Sequence, residues 1–525
     1  MGETLDFFRG RLDSMIDLQH SLAVLGTRLP WAQIEADLAP TWQRPSRDGV
    51  LQQSVVADLF DLTSGGAGGG GVLVGGGVSV AGRPRLDVRL MVSLLYLKNA
   101  FNLSDEAVCE RWSENVVWQH FSGGEYYEPR LPCDPTQIGR FRTMIGEAGM
   151  EVILKATCDK LVAATIDTAI ACKAVKPAEF ERIIVDTTVQ EKAIAYPVDA
   201  RLLEIARYQV VKATKGCGIA LRQSFAKEGK TLRRKAGGYA HARQFKRLAR
   251  TVKRQRTILG KLIREVRGKL AVGAIDTHQT GVSPFTISSL TTLLERADRI
   301  RTQQKHDKNK LYALHAPEVE CISKGKARNR YEFGVKVSLA ITHKQGLIVG
   351  AKRFTGNPFD GHTLAEQIGQ ANELIAKSGR AITEAYVDLG YRGVDADNPG
   401  VRVMHRGRIK SMTKLERKRL KRRQAVEPTI GHVKHDHRMI RCHLIGSLGD
   451  ALHAIACAAG YNIRWLMRAM LRLGLKGLFT PLNLWLWVKL SLRCGGIRAL
   501  TRQSIPAEAS PAHGRHFPFV EAIAI

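Results

Sequence analysis

Asp186, Asp388 and Glu427 are the residues whose settings ask for a chemical explanation. Asp186 follows three β-branched residues in IIVDTT (183–188), and Asp388 follows Ala385-Tyr386-Val387 in AYVDLGYRG. Both runs read as short buried strands, so each strand is expected to end on a bare carboxylate. In α/β sheets ligands bind at strand ends, although an aspartate there also serves as an ordinary turn former. Glu427 is the only acid between Glu416 and Asp436, within RKRLKRRQAVEPTIGHVKHDHR (417–438). Cations around a carboxylate keep it ionised. Carboxylate oxygens suit a hard cation such as magnesium. Two such ions about 4 Å apart activate an attacking oxygen and stabilise a leaving one in phosphodiester cleavage.

The charge of the chain fits a polyanionic partner. Its 525 residues include 80 Lys and Arg against 49 Asp and Glu, a net charge of +31. An excess of this size points to nucleic acid, with an anionic membrane surface as the rival. No stretch reads as a membrane span. Gly477 to Val488 is the most apolar candidate, and it is too short and contains Pro481. MGETLDFF carries acids where a secretory signal needs bases, and Asp6 spoils a myristoylation pattern. The expected location is the cytoplasm, in association with the nucleoid. The nine cysteines contain no C-x-x-C pair, as in reduced core positions of a cytosolic protein. Cys442 with His432, His435, His437 and His443 matches no standard zinc spacing.

The elements that must position the acids can be read in outline. Residues 1–62 look helical, with apolar positions such as Leu12, Leu22 and Leu25. Residues 63–82 include SGGAGGGGVLVGGGVSVAG, too rich in glycine for a packed element and lacking the Gly-Lys-Ser/Thr of a phosphate loop. Residues 83–160 form a helical unit expected to bind DNA, in which Ser104 caps SDEAVCERW. Residues 161–465 form the α/β unit, with a helical insertion at about 200–325. Between 211 and 270 there are 19 Lys or Arg and two acids. The run Gln244 to Leu270 reads as a helix with a basic surface, whose Lys246, Arg247, Arg250, Lys253 and Arg254 are candidates for phosphate contact. Alternation from Phe333 to Ile341, a turn at Gln345-Gly346 and a second run to Phe354 predict a hairpin. Asp360 is expected to cap a helix running to about Lys377. Short strands at Ile382 to Val387 and Val401 to Met404 follow. Residues 466–525 complete the chain as a helix and a loose tail.

Arg423, Glu427 and Lys434 lie at i, i+4 and i+11, roughly one face of a continuous helix. Proline is comfortable only in a first turn. Pro428 therefore starts the helix within a turn of Glu427 and leaves Arg423 just outside it.

VDTTVQEKAIAYPVDARLL (185–203), GNPFDGHTL (356–364), YVDLGYRG (386–393) and AVEPTIGHVKHDHRM (425–439) together resemble the insertion-sequence DDE transposases of the IS-five group. RPRLDVRLM and FNLSDEAVCERW in 83–145 resemble that group's InsH-type N-terminal helical domain. The resemblance covers about 83 to 465. It implies a ribonuclease-H-like fold, a mixed sheet flanked by helices. It also implies a metal-binding triad of Asp186, Asp388 and Glu427 and two Mg²⁺ ions, for which Mn²⁺ can substitute. The implied partners are double-stranded DNA, as terminal inverted repeats and target, and a second copy in a homodimer, with no membrane. The group's signature of Tyr, Arg, Glu and Lys finds Arg423, Glu427 and Lys434 here, but Leu420 stands at the tyrosine position. Arg423, Lys434 and Arg392 are assigned to DNA contact. The alternative is a catalytically silent, transposase-derived DNA-binding protein. An ordinary nuclease site of acid, spacer and Glu-x-Lys is absent after Asp186, and an amphipathic segment at 461–492 reads more readily as core packing than as a membrane-surface helix.

Overall fold

The computed structural model describes residues 10–42, 50–52, 72–74, 86–147, 151–271, 284–304, 306–323 and 330–497. Phe7, Phe8, most of the glycine-rich run and the tail beyond Ile497 lie outside them. Three N-terminal helices, α1 (Leu12–Met15), α2 (Ser21–Arg28) and α3 (Trp31–Trp42), bury Leu12, Leu22 and Leu25. The helical expectation for this region fails in one place. Val50–Gln52 is a strand, and it pairs antiparallel with Val72–Val74 of the glycine-rich segment. The branched Val-Leu-Val supplies the β preference that its glycine neighbours lack.

Helices α4 (Val88–Ala100), α5 (Asp105–Glu114), α6 (Val116–Phe121), α7 (Pro135–Glu147) and α8 (Glu151–Ala171) follow. Ser104 caps α5 as its sequence position suggests, its Oγ accepting the Ala107 N–H at 3.1 Å. The α/β unit is a six-stranded mixed sheet of β1 (Arg182–Glu191), β2 (Glu320–Ser323), β3 (Tyr331–Thr342), β4 (Ile348–Phe354), β5 (Glu384–Tyr386) and β6 (Arg402–Met404). β1 is central. It runs antiparallel to β3, from Ile183↔Thr342 to Glu191↔Gly334, and parallel to β5, which is parallel to β6. The far edge of β3 is shared end to end by β2 and β4, both antiparallel to it.

Strands flanked on both sides and covered on both faces read as continuous apolar runs, and Ile183, Ile184 and Val185 are fully buried. The strand does not end at Asp186. It runs on through Thr187, Thr188 and Val189, whose branched side chains favour β structure and whose backbone is paired with β3. Asp186 is thus a mid-strand residue. The hairpin of β3 and β4 forms where alternation placed it, while β2 is an addition that four residues of sequence did not announce.

Between β1 and β2 the insertion builds its own core from α9 (Asp199–Gly216), α10 (Ala226–His241), α11 (Phe245–Ala271) and α12 (Pro284–Thr302). Leu202, Val210, Ile258, Leu262, Val266 and Leu294 are among its buried residues. After the sheet come α13 (Leu364–Leu374), α14 (Lys414–Lys421), α15 (Val426–His435) and α16 (Gly446–Ile497). Leu420 is buried at the end of α14. One continuous apolar core joins Leu22, Leu94 and Phe141 of the N-terminal helices to Ile184, Leu339 and Tyr386 of the sheet and to Ile455 and Leu466 of α16. The fit is close at Gly460, where a Cβ would stand 2.6 Å from the Asn99 carbonyl carbon and 2.8 Å from the Ala100 nitrogen. No described helix is long and apolar enough to cross a membrane.

Candidate active site

Asp186 and Asp388 each stand two residues beyond the last pair of the β1–β5 ladder, whose parallel register is Arg182↔Glu384, Ile183↔Ala385 and Ile184↔Tyr386. β5 stops at Tyr386. The Val387 N–H still bonds to Met404 at 3.0 Å, and Asp388 then leaves the sheet. Its Oδ1 accepts the Leu389 N–H at 2.8 Å and caps a single 3₁₀ turn, Leu389–Tyr391. Asp388 is exposed, whereas Asp186 is partly buried and accepts its neighbour Thr187's N–H at 2.8 Å.

Glu427 arrives from α15. Pro428 lies in that helix's first turn, which needs no N–H from it. Arg423 sits before the helix in a 3₁₀ turn, Arg422–Ala425, as the proline requires. It is only 8% exposed. One guanidinium nitrogen is 3.5 Å from Asp186 Oδ2 and the other is 3.4 Å from Glu427 Oε1. A single buried cation therefore ties a central strand to the helix that carries the third acid.

Asp360 was expected to cap a helix. Instead it lies in a 3₁₀ turn, Asp360–Thr363, and its carboxylate faces the sheet. Its Oδ1 accepts the Thr187 hydroxyl at 2.9 Å and the Lys336 ammonium at 2.9 Å. Lys336 also donates to the Pro358 carbonyl at 2.6 Å. Tyr391 is buried nearby, and burial, with Asp186 and Asp360 adding negative charge, pushes its hydroxyl pKa well up. The tyrosine stays protonated. The sequence did carry one sign of this group: Lys336 is the one cation within the apolar alternation of β3.

The donor set suits magnesium, since Asp186, Asp388 and Glu427 offer only carboxylate oxygens. Among the described residues no three His, Cys, Asp or Glu side chains stand close enough together to enclose an ion. Of the three acids, Asp388 and Glu427 are exposed, the Glu427 side chain to 64%.

The remaining candidates fall in three places. Arg392 is exposed just beyond the Asp388 turn, and Lys434 is half-buried on α15. Lys246, Arg247, Arg250 and Lys253 lie exposed along α11 of the insertion. Arg254 shares that helix but is engaged by Glu228 at 2.7 and 3.1 Å.

Residues 74–144 match the family described as Transposase domain (DUF772). The "Uncharacterized protein ORF8 in nfe locus" of Rhizobium meliloti is 36% identical over 240 residues, which is 46% of this chain and 95% of that protein. This chain belongs to the same, transposase-related family. No solved structure matches it. The matched residues of this transposase-related protein include α4 to α6 and nearly all of α7, the helices whose core is continuous with the sheet.

Proposed function

We propose that the protein is a DNA transposase of the IS-five group with a ribonuclease-H-like catalytic unit. The observation that carries this reading is the link of Asp186 to Glu427 through Arg423, beside the parallel strand that leads to Asp388, in a chain whose N-terminal helices match a transposase domain. Asp186 and Asp388 each follow the paired ends of two neighbouring parallel strands, and Glu427 is linked to Asp186 through Arg423. The strand order, an antiparallel meander followed by two parallel strands on the other side of β1, agrees with such a unit.

In this reading the chain cuts DNA at the inverted-repeat ends of an insertion sequence, leaving a 3′-hydroxyl, and then joins that hydroxyl to target DNA. Asp186, Asp388 and Glu427 would hold two Mg²⁺ ions, or Mn²⁺ in their place, which supply an activated oxygen nucleophile and charge stabilisation when bound. Asp186 is fixed by the rigid centre of the sheet, so a reacting group placed against it is held in position. Arg423 lies between Asp186 and Glu427 and orients both carboxylates, and it would contact a DNA phosphate beside them. Arg392, just beyond the Asp388 turn, and Lys434, on the helix of Glu427, are the further cations assigned to DNA contact. The exposed cations of α11 track the phosphate backbone of the terminal repeats, and the chain works as a homodimer on paired ends, in the nucleoid.

The test is strand cleavage of a DNA fragment bearing the element's inverted repeats, with Mg²⁺ and with EDTA. Wild type should cut only with the metal, and Glu427→Ala should bind the fragment without cutting it. A wild-type protein that binds the repeats and never cuts would establish the second reading, a catalytically silent DNA-binding protein. The observation favouring that reading is Leu420, which fills the signature tyrosine position with a buried core side chain.

A further inference from the structure

A cleft of about 470 Å³ opens where the matched helical unit meets the C-terminal part of the core. Its walls come from α4, the start of α5, α7, the loop after α15, and α16. Lys98, Arg142 and Arg438 line it, with His443 at the rim, against the carboxylates of Asp105 and Glu106. Asp105 is fully engaged. Lys98 reaches Oδ1 at 2.7 Å, and Arg142 holds Oδ1 and Oδ2 at 2.7 Å each. One carboxylate thus serves two cations, and Arg438 adds a third whose guanidinium donates to the Leu103 carbonyl. Glu106 is exposed beside its own helix start.

The cations feel one another. Burial, reinforced by Arg142, brings Lys98 down to about 8 despite its contact with Asp105. His443 is lowered by burial and then by Arg438, Arg441 and Lys98. A half-enclosed cleft that holds surplus positive charge is stabilised by an anion, and planar guanidiniums with an ammonium are the donors that phosphate takes.

We propose that this cleft binds a phosphate group, and that in use the phosphate belongs to the DNA backbone. The inference stands on the cleft's own side chains. It does not depend on the carboxylate chemistry above, and either can fail without the other.

Inorganic phosphate is the probe for the site. The thermal midpoint of the full chain should rise with phosphate relative to chloride at matched ionic strength, because a ligand of the folded state stabilises it. Lys98→Gln should remove most of that rise. Glu106→Gln, a change at an exposed side chain, should tighten phosphate about threefold, the effect of one screened charge. Equal rises in wild type and Glu106→Gln would mean that phosphate binds elsewhere on the basic surface, and the site would be lost even if Lys98→Gln fails to fold. The source is read with a short labelled duplex. Neutralising Lys98 should lower the slope of log affinity against log salt by about one, and Glu106→Gln should tighten the duplex by about the same factor as phosphate. Unchanged duplex binding in both variants would overturn the DNA assignment.

Discussion

Asp186 and Glu427, 241 positions apart in sequence, meet on one guanidinium: Arg423 lies 3.5 Å from the first and 3.4 Å from the second. Removing one partner of a buried ion pair costs about 3–5 kcal/mol because a charge is left without compensation. Here the Glu427 side chain is mostly exposed, and water screens its half of the interaction. Arg423→Gln is therefore expected to lower stability by about 1–2 kcal/mol at neutral pH. Urea unfolding reads this directly, and equal midpoints in wild type and variant would mean that Arg423 does not hold the two acids.

Asp360 and Lys336 form the neighbouring pair. Lys336 is well buried, with its side chain 12% exposed, and Asp360 is its carboxylate partner at 2.9 Å. Asp360→Ala should destabilise by about 1–2 kcal/mol, since Lys336 keeps only the Pro358 carbonyl among these contacts. Lys336→Met in the same background should cost less than it does alone. A double-mutant cycle reports this coupling, and strict additivity would show that the pair contributes nothing to the fold.

The cations of α11 are not equivalent. Lys246, Arg250 and Lys253 are exposed, while Arg254 is paired with Glu228 at 2.7 Å. Each exposed cation that contacts a phosphate contributes about 0.9 to the slope of log affinity against log salt. Glutamine at Lys246, Arg250 and Lys253 together should lower that slope by about two to three and weaken duplex binding at low salt. Arg254→Gln should change it little. Fluorescence anisotropy across a salt series separates the two cases, and a larger effect from Arg254 would remove α11's exposed face from the DNA path.

Local pattern carried much of this fold. The branched run before Asp186, the β3–β4 alternation, the Ser104 cap and the long stripe of α11 each stand where residue types and period placed them. What failed was what only pairing decides. β1 continues past Asp186 because β3 satisfies its backbone to Glu191. Asp360 looks like a cap in sequence, yet its carboxylate is taken by a lysine on a strand 24 positions earlier. The same limit applies to Arg423. Its spacing from Glu427 was legible, but its contact with Asp186 depends on how α15 packs against β1.

The join between the matched helices and the segment after α15 should weaken in acid. His437 is 4% exposed, and its Nδ1 lies 3.0 Å from the Asn99 carbonyl, which fixes that nitrogen as the donor. Burial brings its pKa down to about 4, with the Asn99 bond opposing and Arg464 and Arg468 assisting. His453, on α16, is taken to about 3 by burial, again against a backbone bond. In the unfolded chain both titrate near 6.5. Between that value and the folded one, the unfolded state binds a proton that the folded state refuses, so stability increases with pH. The contribution is complete above about pH 6.5 and is lost progressively as pH falls, toward 4 for His437 and toward 3 for His453. The loss for His437 is on the order of 3 kcal/mol when complete. His437→Gln retains a donor for Asn99 but cannot take the proton. Its urea midpoint should fall less between pH 7 and pH 4.5 than that of wild type, with a residual slope from His453. Parallel pH profiles for the two proteins would show that His437 is not the group that loosens this join.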